Sequence, residues 1–92
     1  MMKAVFRVEL NAVHHDGRRK FTVFETDCAS VAEFHQRLQE DKVIYGQSLF
    51  TRRGEEKGEY EIVDRNEMIL GREAIWSVTV PRDRYFEYSE VA

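Results

Sequence analysis

The sequence is short of most residues that mark a familiar chemistry. Its 92 residues include a single cysteine, Cys28. An intramolecular disulfide and a multi-cysteine zinc site are therefore excluded. The five glycines lie scattered, as turn residues do, and make no phosphate-binding loop. A nucleophile elbow, an HExxH helix and paired metal carboxylates are also missing. Apolar runs such as AVF, VIY and AIW are too short for a bilayer-spanning segment. Arg7 and Glu9 interrupt the apolar stretch that a signal peptide needs, so a cytoplasmic location and no membrane contact are expected. A basic excess is lacking too. Fourteen Lys and Arg stand against 17 Asp and Glu, a net charge of −3, so the whole chain does not attract nucleic acid or anionic lipid.

What is present suits a small globular domain. Hydrophobic residues make up 42% and charged residues 34%, too apolar a balance for a disordered chain. Residues 1–92 are expected to form one domain. A chain of this size buries only roughly 60–65% of its unfolded surface, which leaves little room for a deep pocket.

Ala4, Phe6, Val8, Leu10 and Ala12 alternate with Val5, Arg7, Glu9, Asn11 and Val13, the period of a half-buried strand with its even-numbered residues inward. Residues 20–26 read as a second strand, and Asp16-Gly17 between them suits a tight hairpin turn. A two-residue loop at that dipeptide places Leu10 opposite Val23 and Ala12 opposite Phe21. Ser30-Val31-Ala32-Glu33 is a capping box, followed by Val31, Phe34 and Leu38 at helical spacing. A helix is expected over residues 31–40, with Glu33 and Arg37 paired on its outer side. Residues 43–45, 48–52, 60–64, 68–70 and 75–80 read as strands. Gly46 marks a bend or bulge, residues 54–58 a hairpin loop, and Pro81 a stop.

This pattern predicts an α+β fold, an antiparallel sheet of about five strands with one helix on one face, in the order β-β-α-β-β-β. One short helix cannot cover such a sheet. Curvature, the tail at residues 81–92 or a second subunit must close the rest, and a homodimer is expected.

Few residues suggest chemistry. His14 and His15 are adjacent at a strand end, where neighbouring side chains point apart, and no metal site is expected. Cys28 precedes the helix without a base in reach, and reads as a small buried hydrophobe rather than a nucleophile. No catalytic residue, metal or cofactor is expected. Arg18, Arg19 and Lys20 form a basic cluster, and Arg52 and Arg53 a second one offset by Glu55 and Glu56. Trp76 shares its alternation with Val78 and Val80 and is expected in the core. Tyr85, Phe86 and Tyr88 are too many aromatics for a freely solvated tail, and are expected on the sheet, on a second subunit or on a partner.

The reading that follows is a non-catalytic protein–protein interaction module, an accessory or regulatory subunit that uses Tyr85, Phe86 and Tyr88. The alternative is a nucleic-acid-binding module using Arg18, Arg19, Lys20, Arg52 and Arg53. A third is a small enzyme with a site at a subunit interface.

Overall fold

A computed structural model describes residues 3–87. Six strands form one sheet: β1 (Ala4–Val13), β2 (Arg19–Thr26), β3 (Val43–Arg53), β4 (Glu59–Gly71), β5 (Ile75–Thr79) and β6 (Arg84–Glu87). One helix, α1 (Val31–Asp41), follows β2, and a short 3-10 turn, Arg72–Ala74, precedes β5. The strand order is β5-β1-β2-β3-β4-β6. The α+β class with a single helix is as the sequence predicts. The sheet, however, has six strands and is mixed, because β6 joins β4 in parallel.

The first hairpin forms where expected, in a different register. Its loop has three residues, His15-Asp16-Gly17, closed by His14 N donating to Arg18 O at 2.7 Å. Gly17 N donates back to His14 O, and Gly17 takes φ +88°. A tight turn followed by a left-handed glycine is a common three-residue hairpin connection. Asp16 reinforces it by accepting from Arg18 N at 3.0 Å. The longer loop and an irregularity beyond it together move every partner. Arg7, not Leu10, faces Val23, and Glu9, not Ala12, faces Phe21. The irregularity between Glu9 and Val13 enlarges the offset, since Val13 still faces Arg19 while Glu9 faces Phe21. The pairs Ala4–Thr26, Phe6–Phe24 and Val8–Thr22 now share the helix-covered face.

Helix α1 starts and stops for local reasons. Ser30 Oγ accepts from Glu33 N at 3.1 Å, and Glu33 reaches back to Ala29 N at 2.8 Å. Lys42 ends the helix in the left-handed region at φ 65°. Phe34 and Leu38 face the sheet, where Phe6, Val8, Phe24, Cys28, Ile44 and Leu70 complete the main core. The Phe6 and Phe24 rings meet Phe34 edge to face, an arrangement that suits the charge distribution of aromatic rings. Arg37 pairs with Glu33 at 3.3 Å, as the spacing predicts, and also with Asp27.

The second half is simpler than its sequence pattern. The four segments between residues 43 and 70 fuse into two long strands, β3 and β4. Gly46 is neither bend nor bulge, and pairs regularly with Met68. Its role is close approach: a Cβ there would lie 2.4 Å from Glu25 O and 2.5 Å from Phe24 Cζ. The real irregularity falls between Phe50 and Thr51, opposite Asp64 and Ile62.

Within the tail, residues 84–87 pack on the protein's own sheet as β6. In a flat sheet the five strand spacings from β5 to β6 would separate these edges by about 24 Å. Residues 80–83 link them, and the step from Thr79 to Arg84 reaches at most about 18 Å. The sheet must therefore curl. It curls toward the face without the helix, where Val23, Leu49 and Ile62 form a second buried cluster with Val5 and Tyr85 against it. Arg65 ties this face together through Glu25 on β2, at 2.5 Å, and Glu87 on β6. Curvature and the tail thus close much of the surface that one helix leaves open.

Trp76 is not in the core, contrary to the alternation. It is 61% exposed and Val80 is 64% exposed. The reason is a register shift in which Leu10 faces Ile75 while Glu9 faces Ser77, leaving Trp76 as an extra, unpaired residue.

Candidate functional site

The residues nominated from the sequence fall into three places. The hairpin tips of β1–β2 and β3–β4 lie at the same end of the sheet, because β2 and β3 run antiparallel. Arg18, Arg19, Lys20, Arg52 and Arg53 are therefore neighbours in fold, though β2 and β3 pair over only three residues each before they diverge. Two of these five cations are paired with acids. Arg18 pairs with Asp16 at 2.8 Å and Arg52 with Glu61 at 2.8 Å. The Arg19 guanidinium lies 4.0 Å from the centroid of the Trp76 ring. Glu55, Glu56 and Glu59 stand at the same end, and a hydrogen bond with Glu56 pushes the Glu59 carboxyl above its usual range. A counterion-releasing surface needs a basic stripe, which this mixture does not make.

The histidines and the cysteine sit apart. His14 and His15 are exposed at the hairpin turn. Among the described residues, no three His, Cys, Asp or Glu converge on a metal position. Cys28 is fully buried in the main core. Burial pushes its thiol above the ordinary value, against the pull of Arg37, which disfavours the nucleophilic thiolate.

The tail aromatics are half-buried rather than displayed. Tyr85 stacks on Tyr60 with ring centroids 5.5 Å apart, and Phe86 lies beside it in β6. Burial, followed by the Asp83 charge, raises the Tyr85 phenol, while Arg7 pulls it back down. Tyr88 lies outside the described residues.

Sequence reasoning missed the remaining place, because Trp76 was expected inside. Among the described residues, β5 pairs with β1 alone, so its other edge carries open backbone groups. Its sequence, IWSVT, followed by Val80, has no charge to guard that edge. Between β5 and α1 runs a groove of about 400 Å3. Phe34, Leu38, Ile75 and Val78 form its apolar floor, and Trp76 is one wall. His35 and Gln39 of α1 and Arg72 of the 3-10 turn form its polar rim. The bulge in the pairing of β5 with β1 falls at this groove, at Trp76. Among the described residues, no helix is long and apolar enough to cross a membrane.

Comparisons with protein-family models, with curated proteins and with solved structures find no match to this chain, so the reading of its function rests on its own geometry.

Proposed function

We propose that this chain is a non-catalytic protein–protein interaction module that works as a homodimer through the open edge of β5. The observation that carries the reading is an uncharged edge strand flanked by two exposed apolar side chains, Trp76 and Val80. Natural sheets usually guard an edge with charge, and an unguarded one is suited to pairing. A two-fold antiparallel pair centred on Val78 sets each Trp76 opposite Val80 of the second copy, so the edge is complementary to itself. The tail aromatics contribute less to this contact than the sequence suggests, because Tyr85 already packs on the second cluster.

The nucleic-acid reading through Arg18, Arg19, Lys20, Arg52 and Arg53 has less support, since acids at the same end offset these cations. Light scattering after size exclusion tests the proposal. The chain should elute at twice its 10.9 kDa mass, and a Trp76→Lys, Val80→Lys double variant at the single mass. A wild-type monomer at high micromolar concentration, or a variant that stays dimeric, overturns it.

A further inference from the structure

We infer that the groove between α1 and β5 is a binding site for a small apolar carboxylate, a medium-chain or single-ring acid. Its volume of about 400 Å3 lies near the lower end for small-molecule sites, which are commonly ~300–1,000 Å3, so the ligand is small. Phe34, Leu38, Ile75 and Val78 offer an apolar bed, and the Trp76 ring offers a flat wall. The rim decides the charge. Arg72 is exposed, and no side chain among the described residues pairs with it. No carboxylate lines the groove, and Arg72 is the one permanently charged side chain among its lining residues. A carboxylate can take two parallel hydrogen bonds from such a group while its tail lies on the apolar bed. Trp76 and Gln39, which also line the groove, carry further hydrogen-bond donors.

A larger hollow, about 780 Å3, lies beside Tyr45 and Ile69. Its acids include Glu25 and Asp27, but these are already paired with Arg65 and Arg37. Lys3 and Glu67 line it as well, so it presents both signs of charge, whereas Arg72 is the one permanently charged side chain lining the α1–β5 groove.

Trp76 is the chain's single tryptophan, so its fluorescence reports on this groove directly. Titration with octanoate should give a saturable change in Trp76 emission. 1-Octanol, with the same tail and no charge, should bind at least tenfold more weakly, because a charge-assisted pair is lost. Arg72→Ala should weaken octanoate about tenfold while leaving the far-UV circular dichroism and the unfolding midpoint unchanged. No saturable response to millimolar octanoate overturns the inference. So does equal binding of 1-octanol, or full octanoate affinity in a folded Arg72→Ala variant. The site does not require the β5 pair, and a Val80→Lys variant, which leaves the groove lining intact, tests that pair separately by light scattering.

Discussion

Gly46 shows how one residue governs the packing of neighbouring strands. Its missing side chain lets β3 pass over the Phe24 ring and the Glu25 carbonyl. Gly46→Ala forces a methyl group against backbone, which cannot move aside as a flexible side chain would. We expect a loss of about 3 kcal/mol in urea denaturation, at the upper end for an overpacked core site. Gly17→Ala should cost less, about 1–2 kcal/mol, since its neighbourhood is open and only its positive φ resists a side chain. Both glycines are visible in the sequence, but their roles are not equally legible. Gly17 follows Asp16 between two alternating segments, a local signal. Gly46 depends on what lies across the sheet, and its place in the chain suggests a bend that does not exist.

Helix α1 is the element most completely written in its own residues. The Ser30–Glu33 box, the Phe34 and Leu38 stripe and the Glu33–Arg37 pair all form at the predicted positions. Only the link from Arg37 to Asp27 comes from outside the helix. The hydrogen bond from Arg37 outweighs the cost of Asp27's partial burial and holds its carboxyl below the ordinary 3.8. A folded value below the unfolded one stabilises the native state above the unfolded value, and that contribution is lost as pH falls through the folded value. Wild type should therefore be more stable than Asp27→Asn near neutral pH. The difference should shrink as urea midpoints are followed down to about pH 2. A gap that stays constant with pH would mean that the carboxylate charge has no part in it. The strands are less self-contained. Register in the first hairpin depended on the longer loop and on an irregularity between Glu9 and Val13, which together exchanged the partners of every position.

At the scale of the whole molecule, the sheet closes by curling, and the tail fastens the curl. A chain ending at Pro81 loses Tyr85 from the second cluster and Glu87 from Arg65. We expect it to be less stable by about 2–4 kcal/mol, because Ile62 and Leu49 become exposed. It should nevertheless keep the oligomeric state of the full chain, since β5 is retained. Light scattering on both lengths, beside their urea curves, separates these effects. A truncated chain that becomes monomeric while remaining folded would return the interface to the tail.

The sequence by itself determined the α+β class, the helix with its N-terminal cap, the place of the first turn and the small core around Phe34. Each of these rests on contacts between near neighbours or on a local hydrophobic period. Tertiary structure alone decided the register of β1 on β2, the continuity of β3 and β4, and the parallel seat of β6. It also decided the exposure of Trp76, and with it the groove and the open edge of β5. Those features depend on where a bulge falls between strands more than sixty residues apart in sequence, such as Leu10 and Ile75. Alternation along one strand cannot register a residue added by its pairing with another.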